Sequence, residues 1–448
     1  MPEPRALDAS FWRETLAPYT DPRHWRSVAE MATSILPYVA LVALMYWTVH
    51  VSLALTLLLA LPAGGFAMRV FIIFHDCGHS SFFANRRANT WVGILTGLLT
   101  YTTYHTWRQE HAVHHATAGD LDHRGTGDVD TWTVDEYYGK SAAARLGYRL
   151  FRSPFVLFGL GPIWVVLIEP RFFPAWSRAR FWKMILATDI IIFGQLGILV
   201  AIFGWQPVLI VQLPVIWVAG AIGIWMVYLQ HQFEGVYWER KEDWNYAESA
   251  LRGSSYFKLP RLFQFFTGSI GFHHVHHLAS RIPNYNLSQA HRDNPVFHNV
   301  PQITPWQGIM TLRLKLYDEA SGRLVSFKEA AAAHAAAGTR VQLSNDRVSR
   351  RSAHLPGCCM PSGRRLVLAI PGGALAISPP MPAKRARACP SEAPLSTGPG
   401  NVPTPCACSF LANEPVEAEV RGELELATAW DRSSKVGSSA GSATAPPD

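Results

Sequence analysis

Residues 52–79 read SLALTLLLALPAGGFAMRVFIIFHDCGH, an apolar run that ends in two histidines. Between Ser52 and Phe74 only Arg69 is charged, and a run of about twenty apolar residues is what a hydrocarbon core of roughly 30 Å requires. His75 and His79 follow directly, and residues four apart lie on one face of a helix. The stretch therefore predicts a membrane-spanning helix that presents two imidazoles at one membrane face.

Three further segments have the length and composition of membrane spans, namely Thr33–His50, Met184–Phe203 and Pro207–Leu229. Only a few residues join the first span to the second and the third span to the fourth. The pattern predicts an all-α integral membrane protein with four transmembrane helices arranged as two hairpins. We expect the charged residues in or near the ends of spans, Arg69 and Asp189, to snorkel to the interface or to face the protein interior.

Positive charge is unevenly distributed along the chain. The two short connections carry no Lys or Arg, whereas the segment between the second and third spans carries twelve and the segment before the first span carries four. Because positively charged loops stay on the cytoplasmic side, we predict a multi-pass protein of the bacterial inner membrane with both termini and the middle segment in the cytoplasm. The same rule explains the net charge of +7 without a nucleic-acid partner, since no basic stripe with interleaved aromatic residues is present.

Two shorter apolar stretches, at about 91–104 and 154–168, are too short and too interrupted for spans. We expect buried or interfacial helices there. Together with the residues that follow the fourth span, the middle segment is predicted to form a cytoplasmic helical cap.

The composition changes at about Ala330 to a tail rich in Ala, Pro, Ser, Gly and Arg. The chain is therefore predicted to divide into a cytoplasmic N-terminal segment (1–32), a membrane domain (33–330) and a low-complexity tail (331–448). We expect the tail to be disordered from about residue 338 and dispensable for activity. Five of the six cysteines lie in it without a CxxC pair, so the sequence predicts neither a disulfide framework nor a zinc site there.

Nine of the 18 histidines fall in four places with a chemically meaningful spacing. The motif HxxHH occurs at 111–115 and again at 273–277, although a chain of this composition would contain it about 0.03 times by chance. On a helix, this motif places three imidazoles on one side. The nine residues are His75, His79, His111, His114, His115, His231, His273, His276 and His277.

All four groups lie at the ends of spans or in segments predicted to be cytoplasmic, so they reach the same membrane face. Imidazole is a suitable ligand for iron, copper and zinc. Nine imidazoles are too many for one zinc ion, which takes four ligands. We therefore predict that the cap holds two metal ions of higher coordination number.

Four stretches of this chain carry a resemblance to a known family. They are His75-Asp76-Cys77-Gly78-His79-Ser80-Ser81-Phe82, Trp107-Arg108, Gln230-His231-Gln232-Phe233-Glu234, and His276-His277-Leu278 followed by Arg281-Ile282-Pro283-Asn284-Tyr285. In form and order they resemble the membrane fatty acid desaturases over roughly residues 33–300, and most closely the acyl-lipid omega-6 (delta-12) type. The resemblance implies a histidine-rich di-iron site (Fe2+/Fe3+), O2 as co-substrate, and removal of two hydrogens from an acyl chain of a membrane lipid. For the delta-12 type it implies conversion of a monoene to a diene.

The resemblance also implies roles for single residues. The iron-ligand roles fall on His75, His79, His111, His114, His115, His231, His273, His276 and His277, and no catalytic residue is assigned beyond these ligands. Some relatives have a water-mediated asparagine ligand one turn before the lone histidine, where this chain has Val227. His274 is an extra imidazole, expected behind the ligands or at the surface. Carboxylates commonly orient metal-bound imidazoles, and Asp76, Glu110 and Glu234 are candidates by their proximity in sequence.

The chain has neither a His-Pro-Gly-Gly haem motif nor the cysteine spacing of a ferredoxin. Electrons are therefore expected from a separate ferredoxin-like or cytochrome b5-like protein. The same metal site could instead hydroxylate an alkane or acyl chain, or ketolate or hydroxylate a carotenoid. The continuation of the third motif through Asn284 favours a desaturase. A membrane haem electron carrier is a rival of another class, but it would place histidines in the middle of facing spans rather than at their ends.

Overall fold

The computed structural model describes residues 9–172 and 179–336, which are mostly helical. In chain order the α-helices are α1 (Ala9–Thr20), α2 (His24–Thr48), α3 (Leu53–Gly78), α4 (Arg86–Leu99), α5 (Tyr104–Thr117), α6 (Val134–Gly139), α7 (Ala142–Phe151), α8 (Gly161–Ile163), α9 (Ala179–Phe203), α10 (Trp205–His231), α11 (Tyr246–Arg252), α12 (Arg261–Phe266), α13 (His273–Leu278), α14 (Asn284–Asp293) and α15 (Pro305–Thr311). Turns of π-helix at Val156–Leu160 and Trp164–Ile168 flank α8, and 3-10 turns lie at Glu169–Arg171 and Pro295–Asn299.

Four short strands pair in twos. The strands β1 (Tyr256–Phe257) and β2 (Gln302–Ile303) are parallel, with Tyr256 opposite Gln302. The strands β3 (Leu316–Asp318) and β4 (Arg323–Val325) form an antiparallel hairpin. Both pairs lie after the fourth long helix, and β1 with β2 joins two segments of the cap that are distant in sequence.

Four helices, α2, α3, α9 and α10, are long and apolar enough to cross a membrane, which confirms the four predicted spans. The first begins at His24 rather than Thr33, because the polar residues before the apolar run continue the same helix. Two of the helices extend beyond their predicted ends, α3 to Gly78 and α10 to His231. As a result, His75 and His231 are held by helical backbone rather than by loops, and His79 is the C-cap of α3.

The helix α3 lies between α2 and α10. Small residues let the helices approach closely, since a Cβ atom on Gly64 would lie only 2.4 Å from Cγ1 of Val218 on α10. At the start of α3, the Ser52 hydroxyl accepts a hydrogen bond from the backbone N–H of Leu55 at 3.3 Å. This packing brings the ends of α3 and α10, and with them the first and third histidine groups, to one side of the bundle.

The two shorter apolar stretches have different structures. The first lies largely in α4, which leaves Trp91 and Leu95 exposed and buries Gly93 and Gly97, as expected of an interfacial helix. The second lies in the irregular segment Val156–Arg171, which is bent by 57° from α7. Together with α7 this segment is long and apolar enough to be a broken span or a re-entrant loop, so the described chain has four candidate spans, or up to five if the pair is one span.

The cap over the ends of α3 and α10 has an apolar core that includes Phe272, Val275, Leu287 and Phe297 and continues into the ends of both spans. The N-terminal helix α1 packs onto it through Trp12, whose ring is stacked on that of Phe297 at 6.2 Å. A helix of six residues such as α13 is not stable by itself, so this core is what keeps it helical.

Charged residues inside the spans face the protein interior. Arg69 on α3 pairs with Glu30 on α2 at 2.9 Å, and Asp189 on α9 pairs with Arg171. Pairing of this kind is how charges inside a membrane protein are usually accommodated. Of the two alternatives predicted from the sequence, snorkelling to the interface or facing the protein interior, the structure therefore shows the second.

A helix at 327–336 runs past Ala330, where the sequence predicts the tail to begin. Ala330 is buried with Leu316 and Val325, and the ring of His334 is stacked on Tyr138 at 3.8 Å. The predicted disorder from residue 338 and the dispensability of the tail concern residues outside the described ranges.

Candidate metal centre

The four histidine-containing stretches of the sequence lie on four helices, which end at or lie over one side of the bundle. His75 is in the last turn of α3 and His79 is its C-cap, while His231 is the last residue of α10. The helix α5 carries His111, His114 and His115, and α13 carries His273, His276 and His277. Residues that are up to 202 positions apart therefore share one site, because α3, α5, α10 and α13 converge there.

The nine imidazoles form two separate clusters. The five-histidine group consists of His75, His79, His111, His115 and His276, and the four-histidine group consists of His114, His231, His273 and His277. Within each group, one ligand atom from each ring lies within 4.8 Å of all the others. Two nitrogens on opposite sides of a metal ion at about 2.1 Å would be about 4.2 Å apart, so each group has the dimensions of a site for one ion.

Each HxxHH motif contributes to both groups. In α5 the first and last histidines of the motif, His111 and His115, belong to the five-histidine group and His114 to the other. In α13 the assignment is reversed, with His276 in the five-histidine group and His273 and His277 in the other. The reason is helical geometry, since positions i and i+4 are about 40° apart around the axis whereas i+3 lies about 60° to the opposite side.

Within each group, several ring nitrogens lie about as close as hydrogen-bonded atoms. In the five-histidine group, Nε2 of His111 lies 3.0 Å from Nε2 of His75 and 3.2 Å from Nε2 of His115. In the four-histidine group, Nε2 of His231 lies 3.2 Å from that of His114 and 3.0 Å from that of His273. The Nε2 atoms of these six rings therefore point towards the centres of their groups.

Burial favours the neutral form of most of these imidazoles. Burial, reinforced by the neighbouring imidazoles, lowers the pKa well below the usual value of a histidine for His79, His111, His115, His273, His276 and His277. The pKa of His114 falls to about 3, because burial and His231 outweigh the opposing effects of Asp128 and the Thr126 carbonyl. Neutral imidazoles offer the lone pairs that a metal ion requires.

The chemistry of the donor atoms fits metal ions. The Nε2 atoms of His79, His276 and His277 are buried without a hydrogen-bond partner, at a cost of about 1–3 kcal/mol each. Neither group contains a thiolate or a carboxylate. Metal ions would satisfy these nitrogens, and all-imidazole ligation suits iron, copper or zinc.

Other groups fix the orientation of particular rings. Nδ1 of His75 lies 3.1 Å from Oδ1 of Asp76, and Nδ1 of His231 lies 3.2 Å from the Gly253 carbonyl oxygen. In each case the Nδ1–H donates to the oxygen, which leaves the Nε2 lone pair for the centre of the group.

The indole of Trp107 supports the five-histidine group from one side. It is stacked on the ring of His111, with centroids 4.4 Å apart. The close approach depends on Gly78, because a Cβ atom at that position would lie 2.8 Å from Cζ3 of Trp107. This contact gives a structural reason for a glycine beside His79 and for a tryptophan four residues before His111.

The three carboxylates singled out from the sequence lie in different places. Asp76 is buried against His75, as described. Glu110 makes no hydrogen bond to an imidazole among the described residues; burial, followed by the charge of Glu169, raises its pKa to about 7. Glu234 is exposed and also makes no such bond within the described ranges. Proximity in sequence is a weak guide here, because adjacent residues on a helix point in different directions.

The extra imidazole of His274 belongs to neither group. It is buried, which excludes the expected surface position, and its Nε2 lies 3.0 Å from Nδ1 of His291. The ring also contacts Phe297, at a centroid distance of 5.5 Å. His274 therefore lies on the side of α13 that faces the cap core.

Two residues beside the site were not predicted from the sequence as site residues. Asn284 donates to Asp76 through its side chain at 2.9 Å, and Glu30 accepts from the same amide at 3.0 Å. A signal was available for Glu30, since Arg69 in an otherwise apolar span calls for a buried acidic partner. No local pattern links Asn284 to Asp76, because they are 208 residues apart.

Comparison with known proteins agrees with this geometry. The family profile described as "Fatty acid desaturase" matches residues 46–306. A "Fatty acid desaturase" of Bacillus subtilis is 43% identical over 313 residues, which is 70% of this chain and 89% of that protein.

More distant relatives carry more specific names. An "sn-1 oleoyl-lipid 12-desaturase" of Synechocystis is 27% identical over 49% of this chain and 63% of its own length. An "sn-1 acyl-lipid omega-3 desaturase (ferredoxin)" of Nostoc is 28% identical over 49% of this chain and 62% of its own. This chain thus covers somewhat less than two thirds of the length of these two proteins.

Proposed function

The chain belongs to the fatty acid desaturase family, and on that premise we propose that it introduces a double bond into an acyl chain of a membrane lipid at a di-iron site held by the nine histidines. The observation that carries the proposal is the division of these histidines into a five-membered and a four-membered group. Two adjacent all-imidazole sites at the ends of apolar helices suit an oxidation carried out on a substrate that resides in the bilayer.

The proposed reaction balances with O2 as the oxidant. Two hydrogens leave neighbouring methylenes, and the donor supplies two electrons with two protons, so that one O2 becomes two water molecules as the double bond forms. When bound, the two irons would supply the activation of O2 for cleavage of an unactivated C–H bond, which amino-acid side chains cannot achieve. The chain's own residues hold the ions, fix the tautomers of His75 and His231, and cover the site.

The site lies at a depth that suits a lipid substrate. His75 follows Leu53 by 22 residues, which corresponds to about 33 Å along α3. The hydrocarbon core is roughly 30 Å thick, so with Leu53 at one boundary the imidazole lies just beyond the other. An acyl chain could then reach the site while its head group stays at the interface. The positive charge of the middle segment supports assignment of this face to the cytoplasm of a bacterial inner membrane.

Electrons are proposed to come from a separate ferredoxin-like or cytochrome b5-like protein. Relatives from Nostoc and Synechocystis carry ferredoxin in their names. A donor of this class would have to approach the site from the side of the cap, since the other side faces the bilayer.

For the position of the double bond, we propose the delta-12 reaction, in which a monoene becomes a diene. The support is the motif resemblance in His75–His79 and Arg281–Tyr285; the 12-desaturase and omega-3 relatives match at 27% and 28% identity. The histidines determine where oxidation occurs, whereas the choice of methylene depends on how the acyl chain is held. Because one methylene changes binding in an apolar pocket by only about 1–3 kcal/mol, the chain must be measured from a fixed reference such as an existing cis bond.

The test is expression of the chain in a host rich in oleoyl lipids, followed by location of double bonds by mass spectrometry. Accumulation of linoleoyl chains is expected. Conversion of saturated chains to monoenes would retain the desaturase and overturn the delta-12 assignment. A hydroxylated or ketolated product would overturn desaturation itself, and a Soret band in the purified protein would indicate haem instead of non-haem iron.

A further inference from the structure

A buried polar network leads from the five-histidine group to two helices that carry no ligand. Its members are His75 and Asp76 at the end of α3, Asn284 at the start of α14, and Glu30 on α2. Arg69 on α3 closes the far end. The side chains of Asp76, Glu30 and Arg69 are 2%, 17% and 8% exposed, so water contributes little to the stability of these charges.

The amide of Asn284 joins two carboxylates. Its Nδ2 lies 2.9 Å from Oδ2 of Asp76 and 3.0 Å from Oε2 of Glu30, so each N–H of the amide has its own acceptor. The backbone N–H of Asn284 donates to the same Oδ2 of Asp76 at 2.7 Å. Glu30 is held in turn by the Arg69 guanidinium, at 2.9 Å from Oε1.

These contacts fix the orientation of the Asp76 carboxylate relative to the proposed metal site. With Oδ2 occupied by two donors from Asn284, the carboxylate turns Oδ1 towards Nδ1 of His75 at 3.1 Å. The proton of the His75 ring then lies on Nδ1, and Nε2 faces the five-histidine group, 3.0 Å from Nε2 of His111. The two carboxylates repel each other, and the two hydrogens of the amide together with the Arg69 charge offset this repulsion.

We propose that Asn284 and Glu30 are positioning residues of the five-histidine group, which act through Asp76 to hold His75 in the tautomer and orientation that bind the metal. The inference rests on the proposed iron site and deepens it. It makes α2 and α14 parts of the site, although neither contributes a ligand, and it assigns a chemical role to the asparagine that follows the third histidine motif. The four-histidine group is held by other contacts, such as that of His231 with Gly253, and does not depend on this network.

The experiment measures iron in the purified, iron-loaded full-length protein before and after dialysis against a chelator. Asn284→Leu keeps the shape of the side chain but removes both donors. Loss of such a partner typically weakens metal binding about 10–100-fold, so about one of two irons should be lost under conditions in which the unaltered protein keeps both. The Asn284→Asp protein should lose at least as much iron, since the substitution places a third carboxylate against Asp76 and Glu30. The Glu30→Gln protein, which keeps an acceptor for the amide, should lose less iron than the Asn284→Leu protein.

Asn286 offers a matched control on the same helix. It is buried and bonded to the N-terminal region, with Nδ2 2.9 Å from the Tyr19 carbonyl oxygen, and it makes no hydrogen bond to Asp76. Asn286→Leu should keep both irons. Mössbauer spectra should show the signal of one iron changed in Asn284→Leu and both unchanged in Asn286→Leu, a distinction that general loss of stability would not produce.

Two irons retained in Asn284→Leu with an unaltered spectrum would overturn the inference, and so would equal loss from Asn284→Leu and Asn286→Leu. If Asn284→Leu fails to fold, as judged by gel filtration in detergent, Asn284→Asp decides by the same two measurements, because loss of one iron supports the inference and retention of both irons with an unaltered spectrum overturns it. Absence of iron from the unaltered protein would instead refute the proposed di-iron site, so the two failures are distinguishable.

Discussion

The imidazoles of His274 and His276 are two positions apart on α13 and have different surroundings. His276 belongs to the five-histidine group, and its Nε2 has no hydrogen-bond partner. The ring of His274 instead pairs with His291 beside Phe297, within the cap core. The first is in place to bind a metal ion, whereas the second links α13 to α14.

This difference predicts opposite effects for two neighbouring substitutions. His276→Ala should abolish desaturation and lower the iron content while the protein still inserts into the membrane, because it removes a proposed ligand. His274→Ala should keep both irons but reduce the free energy of unfolding by about 1–3 kcal/mol, because it leaves His291 buried without its partner. Iron analysis measures the metal content of the two variants, lipid analysis measures desaturation, and thermal unfolding measures their stability. Loss of iron from His274→Ala alone would contradict the assignment of ligands.

At the scale of elements, α12 is unusual because it follows all four spans and yet packs along one of them. The rings of Phe265 and Phe266 lie 6.1 Å and 5.2 Å from that of Phe66 on α3. Phe66 follows Leu53 by 13 residues, or about 20 Å, so with Leu53 at one boundary of a core of roughly 30 Å it lies about 10 Å inside the boundary nearer His75. On the outer side of α12, Leu262 and Phe263 are 63% and 55% exposed.

We therefore expect α12 to lie within the bilayer with Leu262 and Phe263 in contact with lipid, because apolar side chains at this depth have no other solvent. A photoreactive phenylalanine analogue in place of Phe263 should form adducts with lipid acyl chains in proteoliposomes. The same analogue in place of Leu58, which is exposed on α3, is the positive control, and in place of the exposed Glu234 the negative one. Adducts from position 58 without adducts from 263 would place α12 outside the hydrocarbon.

At the scale of the whole molecule, the two helical hairpins and the distribution of charge predict one topology. An N-terminal reporter and a reporter inserted after Glu319, at the turn between β3 and β4, should both give cytoplasmic signals. A reporter in the connection at Gly204 should give the opposite signal. The bent segment formed by α7 and Val156–Arg171 makes this test informative, because a fifth crossing there would put the N-terminus and Glu319 on opposite sides.

The features that depend on local geometry are predictable from the amino-acid sequence alone. A run of about twenty apolar residues has to be a span, and histidines at positions i, i+3 and i+4 have to lie on one side of a helix, because both follow from the rise and the turn of a single helix. For the same reason the division of the HxxHH motifs, with His111 and His115 in one group and His114 in the other, could have been read from the spacing alone. The four spans follow from the sequence in this way.

The contacts between residues that are distant in the sequence come instead from the packing of the helices. The five-histidine group takes residues from α3, α5 and α13, and Asp76 bonds to Asn284, which lies 208 positions further along the chain. Glu110 and Asp76 each adjoin a histidine in the sequence, yet of these two only Asp76 bonds to an imidazole within the described residues. Such contacts depend on how helices pack against one another, and side-chain direction relative to a distant helix leaves no periodic signal in the chain. The positions of the nine histidines along their own helices are therefore predictable from the sequence, whereas the groups that hold their rings in place are not.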